Sequence, residues 1–325
     1  MSKIEKIKRI SVDLLQLKPI QHQKNVYESY NSYLSQFFSD GKPKDKYFQN
    51  VTCPICEEGK INKSINIDFF QYVECHNCGT IYNNPQLKSK YLQKMYIEGE
   101  YNNYVKSLTI PSDNIRKNLT EVRKVDQVDS LFTSPGSILD VGCGAGVFLK
   151  IASDKGWDCM GIELSKSGIE SSQEKGIKVI EESFDNFESN IKFDCITFWG
   201  VLEHVSEPMN YVRKAVKHLN KNGVIIFEVP SADSILMQYL LRFDLNPYRF
   251  IESARHLSFF TRESLEILCK DNNLTLEYIE SNGLDLQTIL LHEFEDKIVN
   301  KLMKIQQIFD SSLISDHYRC FLRKK

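Results

Sequence analysis

The fold is decided by residues 138–146, which read ILDVGCGAG. A short apolar run that ends in an acid, followed by glycines at alternating positions and then by helical spacing from residue 147, predicts a strand, a tight turn and a helix. Glycine removes the Cβ atoms that would keep a ligand away from the backbone, and the first turn of the helix offers free N–H groups. The stretch therefore predicts a nucleotide-binding turn.

Strands and helices alternate downstream of this turn. Alternation with short connections indicates an α/β fold with a parallel, doubly wound sheet and helices on both faces. Ligands of such sheets bind beyond the carboxyl ends of the strands. After the opening strand, the predicted strands cover 158–163, 178–180, 193–198, 223–228, 274–279 and 317–322, and the predicted helices cover 147–155, 166–175, 207–220 and about 285–310.

The spacing of the glycines separates two classes of nucleotide. The dinucleotide fingerprint G-x-G-x-x-G would need a third glycine at position 147, where valine stands. The chain instead has G-x-G-x-G at Gly142, Gly144 and Gly146, preceded by Asp140. Glu163 ends the second strand, where an acid accepts ribose hydroxyls in either class. The glycine register is therefore the discriminating feature, and it argues against a dinucleotide.

The ordered set of motifs resembles the class I S-adenosylmethionine-dependent methyltransferases. The motifs are the glycine turn, residues 161–165, 193–208 and 222–224, and the resemblance covers about residues 112–325. It implies a seven-stranded Rossmann-like methyltransferase sheet with S-adenosylmethionine as cofactor. The residues implied to bind the cofactor are Asp140, Gly142, Cys143, Gly144, Gly146, Glu163, Leu164, Ser183, Phe184 and Trp199.

The resemblance also implies roles for these residues. The glycines approach the methionine moiety, Asp140 orders the loop, and Glu163 holds both ribose hydroxyls. Trp199, just past the fourth strand, forms the floor of the cofactor pocket. The chain departs from the family at Ser183, because an aspartate that reaches the adenine amino group is usual at that position, and Phe184 is expected to pack on the ring.

Four of the nine cysteines lie in one short segment and form two C-x-x-C pairs, Cys53 with Cys56 and Cys75 with Cys78, separated by eighteen residues. Four thiolates at this spacing can surround a zinc ion and leave no open coordination position. A redox pair or unrelated buried cysteines are the alternatives, and His76 is an alternative ligand. The expected metal is structural zinc, and the segment up to Pro85 looks like the zinc-binding module that precedes a group of small-molecule and nucleotide-sugar methyltransferases.

Two histidines are candidate general bases where the acceptor should enter. His204 follows the fourth strand, and His256 lies at the end of an insertion over about 231–256. A histidine titrates near neutral pH and can accept a hydroxyl proton. A structural role, such as ordering the adjoining loop or helix, is the alternative for each. The insertion is interpreted as a lid over the acceptor pocket, with core packing as the alternative, because it contains Met237, Tyr239, Phe243, Tyr248 and Phe250.

The length of 325 residues accommodates three parts: an N-terminal helical segment (1–44), a zinc ribbon (45–90) and a class I methyltransferase domain (91–325). The N-terminal helices are expected to pack on the main domain or on a second subunit, so a homodimer through them is one hypothesis. A net charge of −2 disfavours nucleic acid as a partner. The lack of a signal-peptide pattern and of an apolar run long enough for a membrane span predicts a cytoplasmic protein.

The predicted function is methyl transfer from S-adenosylmethionine to a small-molecule or carbohydrate acceptor, such as a nucleotide-sugar. Oxygen is the expected target atom and carbon the alternative, because the sugar C-methylating relatives carry a further C-terminal domain for which this chain lacks room. Two other functions stay open. One is an RNA methyltransferase that grips its substrate with the ribbon, and the other is a module without catalysis that recruits a partner.

Overall fold

The computed structural model describes residues 4, 7, 20–67, 69–97, 99–243, 250–252, 255–290 and 296–325. Within the predicted N-terminal helical segment, residues 1–3, 5, 6 and 8–19 lie outside the described residues, as does Tyr248. Within the described part of the chain, no helix is both long enough and apolar enough to cross a membrane.

The N-terminal region begins with a helix and continues into short strands and a ribbon. The elements are α1 (Ile20–Ser35), β1 (Phe38–Ser39), β2 (Lys42–Pro43), β3 (Phe48–Gln49), β4 (Ile61–Ile67), β5 (Phe70–Cys75), β6 (Ile81–Asn83) and β7 (Gln86–Leu87). The side chains of Tyr30 and Leu34 on α1 are buried in a core of this same chain. The described side chains of α1 therefore pack on their own chain.

A helical region leads from the ribbon to the main sheet. It consists of α2 (Ser89–Ile97), α3 (Glu100–Tyr104), α4 (Asp113–Arg116) and α5 (Val122–Asp129), with further helical turns at Val105–Ser112 and Lys117–Glu121. The buried residues Val125 and Val128 of α5 belong to the core on one face of the sheet.

The main sheet has seven strands, as predicted. They are β8 (Ser137–Val141), β9 (Asp158–Glu163), β10 (Lys178–Glu181), β11 (Phe193–Trp199), β12 (Leu219–Pro230), β14 (Leu274–Asn282) and β15 (His317–Lys324), and they lie in the order β10-β9-β8-β11-β12-β15-β14. The five strands from β10 to β12 are parallel, whereas β15 is antiparallel to both β12 and β14. The sheet is therefore mostly parallel, with β15 as its antiparallel strand.

Helices cover both faces of the sheet. They are α6 (Val147–Asp154), α7 (Lys166–Glu174), α8 (Pro208–His218), α9 (Ile235–Phe243), α10 (Arg262–Asp271), α11 (Asp285–Leu290) and α12 (Asp296–Ser311). Successive strand residues point to opposite faces, so Ile225 belongs to one core cluster and Ile226 to the other. This arrangement confirms the predicted doubly wound fold.

Two predicted elements differ most from the observed ones. The strand predicted over 223–228 runs over Leu219–Pro230, because its first residues pair beside Phe193 of β11. The helix predicted over about 285–310 is described as two helices, α11 and α12.

The ribbon is joined to the main domain by a strand from far along the chain. Residues Ser258–Phe259 form β13, which pairs antiparallel with β6, so the ribbon sheet has the order β13-β6-β5-β4. The Thr261 hydroxyl donates to the carbonyl of Cys78 at 2.5 Å. The segment after the insertion thus completes the ribbon sheet.

The insertion over 231–256 packs mainly as core. Leu236, Met237 and Leu240 of α9 are buried together with Phe250 and Ile251. Among the described insertion residues, only the end that includes Glu252 and Arg255 and leads to His256 lines the cavity described below. The structure therefore supports the alternative of core packing for Met237 and Phe250, instead of the predicted lid.

Candidate functional site

A cavity of about 640 Å³ opens beyond the carboxyl ends of β8, β9 and β11. The strand order reverses between β8 and β11, which is where ligands of doubly wound sheets bind. The cavity is lined by nine of the ten residues predicted to bind the cofactor and by both candidate bases. Gly146 is the exception.

The glycine turn needs glycine for conformational and steric reasons. Gly142, Gly144 and Gly146 have φ values of 72°, 53° and 75°, in the left-handed region that disfavours other residues. A Cβ atom on Gly146 would lie 2.5 Å from Oγ of Ser172, and one on Gly142 would lie 2.7 Å from Cγ2 of Val201. The backbone of the turn therefore lies close to the side chains of Val201 and Ser172. Gly146 allows the contact with Ser172.

Glu163 is buried at the end of β9, and its carboxylate accepts hydrogen bonds from backbone N–H groups. The donors are Gly144 and Leu164 at 2.8 Å and Ser165 at 2.7 Å. Burial raises the pKa of Glu163, and these three N–H groups oppose the rise. A carboxylate has about four lone-pair sites, so at least one remains for a ribose hydroxyl.

Asp140 is buried at the end of β8 and bonds across the sheet. Its Oδ1 accepts a hydrogen bond of 2.6 Å from the Thr197 hydroxyl on β11. Burial raises the pKa of Asp140 to about 7, although the Thr197 hydroxyl lowers it. The observed contact fastens two neighbouring strands at the switch point, whereas the predicted role was to order the loop.

Asp185 and Tyr211 form a polar cluster with Ser183, and the sequence did not predict this cluster. The Ser183 hydroxyl donates to Oδ2 of Asp185 at 3.1 Å, and the Tyr211 hydroxyl donates to the same oxygen at 2.9 Å. All three residues and Phe184 line the cavity. Ser183 stands where the family usually has an aspartate, and the sequence has an acid, Asp185, two positions later. Asp185 is therefore a further candidate for the adenine contact.

Trp199 is the last residue of β11 instead of lying just past it. Its ring lines the cavity and contacts Phe148 edge-on, with ring centroids 5.4 Å apart. The Lys124 ammonium lies 4.7 Å from the ring centroid, and the Arg319 guanidinium lies 5.3 Å from it. Lys124 also lines the cavity and was missed because it precedes the motif-bearing strands.

His204 and His256 lie side by side, with ring centroids 4.9 Å apart. Nδ1 of His204 is 2.8 Å from the carbonyl oxygen of Arg255, and Nδ1 of His256 is 2.8 Å from that of Phe250. Because a carbonyl only accepts, each Nδ1 carries the hydrogen, and in a neutral ring Nε2 then keeps a free lone pair. Burial lowers the pKa of His256 to about 4 and that of His204 well below its usual value, so both rings are neutral at pH 7.

Glu203 belongs to the same cluster as the two histidines. The sequence did not predict it as a site residue. It is 2% exposed, and its Oε2 atom has no hydrogen-bond partner among the described residues. Its Oε1 atom lies 3.9 Å from Nε2 of His204. Burial raises the pKa of Glu203 to about 8.

Arg255 and several tyrosines form the neighbouring wall of the cavity. The Arg255 guanidinium pairs with Glu252 and lies 5.9 Å and 5.7 Å from the ring centroids of Tyr101 and Tyr104. Both tyrosines line the cavity. The part of the cavity lined by Glu203, His204, Arg255 and His256 is called the acceptor side below.

The four cysteines of the ribbon meet in one cluster. Sulfur–sulfur distances are 3.6 Å for Cys53 and Cys78 and 3.5 Å from Cys56 to both Cys75 and Cys78. Zinc–sulfur bonds of about 2.3 Å imply tetrahedral edges of about 3.8 Å. All four cysteines are free thiols, and the cluster is compatible with a zinc module. The structure thus brings the four predicted cysteines together, and their binding of zinc stays a prediction.

Comparison with curated proteins finds relatives of low identity. The ubiquinone biosynthesis O-methyltransferase of Rickettsia canadensis is 30% identical over 95 residues, which are 27% of this chain and 40% of that protein. The enzyme of the same name from Methylococcus capsulatus is 28% identical over 177 residues, which are 50% of this chain and 73% of that protein. The chain thus spans about two fifths of the length of the first relative.

Solved structures of S-adenosylmethionine-dependent methyltransferases are also similar. The protein from Archaeoglobus fulgidus is 15% identical, with a TM-score of 0.48 and coverage of 66% of this chain and 99% of that chain. The protein from Clostridium acetobutylicum is 14% identical, with a TM-score of 0.45 and coverage of 68% and 98%. The sequence model of a methyltransferase domain family matches residues 115–279. Because this match covers 165 of the 325 residues, the chain belongs to the methyltransferase domain family.

Proposed function

We propose that this protein transfers the methyl group of S-adenosylmethionine to an oxygen atom of a small-molecule acceptor. One observation carries the proposal: a single cavity is lined by the glycine turn, by Glu163 and by the paired His204 and His256. The cofactor motifs and the candidate acceptor groups therefore line the same cavity, as methyl transfer between two bound molecules requires.

The charge of the cavity suits the cofactor. S-adenosylmethionine carries a positive sulfonium and a positive ammonium group beside one carboxylate. The cavity lining includes ten acidic residues against three lysines and arginines. The acidic residues are Asp113, Glu121, Asp140, Glu163, Glu182, Asp185, Glu203, Glu207, Glu228 and Glu252, and the basic ones are Arg116, Lys124 and Arg255.

A small acceptor agrees with the size of the cavity and with the names of the relatives. A volume of about 640 Å³ lies in the range of small-ligand sites, which is roughly 300–1,000 Å³. The relatives named ubiquinone biosynthesis O-methyltransferase support oxygen as the target atom. Within this class, the resemblance of the cysteine segment to the module of nucleotide-sugar methyltransferases supports a carbohydrate acceptor. A cytoplasmic location agrees with this substrate class.

The acceptor side offers groups that can take a proton. In the transfer, the acceptor oxygen forms a bond to the methyl carbon while the bond from carbon to sulfur breaks and S-adenosylhomocysteine leaves. The hydroxyl proton goes to Nε2 of His256 or His204, since both atoms keep a lone pair in the neutral rings. The protein's remaining tasks are to align the two molecules and to exclude water.

The ribbon fits structural zinc. Four cysteines leave no open coordination position when they surround one ion, and Cys53, Cys75 and Cys78 are almost fully buried. The zinc would hold the ribbon that pairs with β13, two residues after His256. Its role is to support the acceptor side and not to take part in the transfer.

A methylation assay with labelled S-adenosylmethionine over fractionated metabolites tests the proposal. A purified fraction should accept label from the wild-type protein, and H256A should slow transfer by roughly 100-fold, the usual range for loss of a general base. S-adenosylhomocysteine should stabilise H256A as much as the wild type. The exposed His76 lies in the ribbon, so H76A is the matched control. Tight cofactor binding without label transfer to any fraction would refute the proposal.

A further inference from the structure

Glu203, His204 and His256 place three potential ligand atoms close together. One carboxylate oxygen and one nitrogen from each ring lie within 4.8 Å of one another. The cluster lines the cavity, and it is separate from the four cysteines of the ribbon. The methyl transfer described above uses one proton acceptor, so it leaves the presence of all three groups unexplained.

The hydrogen bonds of the two histidines resemble those of metal ligands. Nδ1 of each ring donates to a backbone carbonyl, of Arg255 for His204 and of Phe250 for His256. Ligating histidines usually make such a bond through the nitrogen that does not bind the metal, which fixes the ring orientation and the tautomer. The arrangement therefore leaves Nε2 as the ligand atom in both rings.

Glu203 adds a buried carboxyl group, and one of its oxygens has no hydrogen-bond partner among the described residues. Its Oε2 atom is buried without a hydrogen bond, which is costly for a carboxylate unless a cation or a proton joins it. The two ligand-bearing segments are also fastened to each other, since the Leu257 N–H donates to the carbonyl of Glu203 at 2.7 Å. The Tyr72 hydroxyl holds the carbonyl of His256 at 3.0 Å. These two bonds hold the ligand-bearing segments beside each other.

We propose that Glu203, His204 and His256 bind a divalent first-row transition-metal ion through a carboxylate oxygen and two Nε2 atoms. Two imidazoles and one carboxylate suit such ions and leave open coordination positions, unlike the closed cysteine site. All three residues line the cavity. A coordinated Nε2 accepts no proton, so in the metal-loaded protein the two histidines act as ligands, and the base role proposed above belongs to the metal-free protein.

Manganese binding to the full-length, zinc-containing protein tests this site. Free Mn²⁺ gives a six-line electron paramagnetic resonance signal that is lost on binding, and thiolate sites such as the ribbon are unsuited to Mn²⁺. The wild type should bind one Mn²⁺ per chain. E203Q, H204A and H256A should each weaken binding by at least roughly tenfold, whereas the control H76A should bind like the wild type.

Two further measurements keep the test decisive. Thermal stabilisation by S-adenosylhomocysteine in each variant shows that it has folded, and Co²⁺ is a second probe whose absorption differs between nitrogen–oxygen and thiolate sites. The inference is overturned if the wild type binds neither Mn²⁺ nor Co²⁺ saturably outside the ribbon, or if the three folded variants bind as tightly as the wild type. These binding measurements contain no methyl acceptor, so this outcome would not contradict the proposed methyl transfer.

Discussion

The ribbon and the main sheet are held together by different means. In β11, at the centre of the main sheet, five of seven residues are buried, whereas none of the seven residues of β4 in the ribbon is buried. Apolar burial can stabilise the first region, but β4 contributes little of it. The apolar burial of the ribbon lies in β5 and β6, and the ribbon also gathers four cysteines in one cluster and pairs with the segment after His256. We propose that a zinc ion held by the four cysteines would stabilise the ribbon in addition to this burial.

The largest effect should come from the cysteine cluster. We expect C78S to lose most bound zinc and to expose residues 45–85 to protease, because structural zinc contributes about 10 kcal/mol or more in small zinc-binding peptides. The main sheet has its own core, so thermal stabilisation by S-adenosylhomocysteine should persist.

The matched control is C159S, which changes a partly buried cysteine on β9 outside the ribbon. Zinc content by elemental analysis and limited proteolysis provide the measurements. A zinc-free C78S protein with a protease-resistant ribbon would show that the ribbon folds without a metal.

The second-largest effect on stability is expected from a substitution in the glycine turn of the main sheet. G146A places a Cβ atom 2.5 Å from Oγ of Ser172 and imposes a φ of 75° on alanine. We expect a loss of about 3 kcal/mol in the free energy of unfolding and weaker cofactor binding. In G176A the φ is 79° and nothing lies within 4 Å of the new atom, so this control isolates the backbone strain from the clash. Equal losses in urea unfolding of the two variants would contradict the steric argument.

A smaller effect is expected at Glu163. E163A leaves the N–H groups of Gly144, Leu164 and Ser165 without their acceptor, at a cost of about 2 kcal/mol. Thermal stabilisation by S-adenosylhomocysteine should disappear in this variant, and NAD should stabilise neither it nor the wild type. The exposed Glu181 at the end of β10 offers the control E181A. Stabilisation of the wild type by NAD would overturn the cofactor assignment.

The smallest effect tests the link between the two regions. Y72F removes only the hydroxyl that donates from the ribbon to the carbonyl of His256. We expect a cost of about 1 kcal/mol, seen as a several-fold lower rate of methyl transfer with unchanged zinc content and cofactor binding. Y82F, another buried tyrosine of the ribbon sheet, serves as control. An unchanged rate in Y72F would indicate that the ribbon does not position the acceptor side.

Local patterns predicted the regular elements and the cofactor turn well. The alternation of strands and helices gave the seven-stranded sheet, and nine of the ten residues carried over from the family line the cavity. Asp185 was missed because the family pattern directs attention to Ser183, and the contact of Tyr211 with Asp185 joins residues 26 positions apart. The insertion was interpreted as a lid because amphipathic spacing does not say whether an apolar face covers a ligand or a core.

The sequence by itself determined the sheet, the glycine turn and the two C-x-x-C pairs, because each depends on residues that are neighbours in the chain or on a repeated local period. Only the tertiary structure decided that β13 completes the ribbon sheet and that Glu203 and His204 meet His256. These contacts join segments about 50 and about 180 residues apart, and their geometry is set by packing between elements, which no local pattern records.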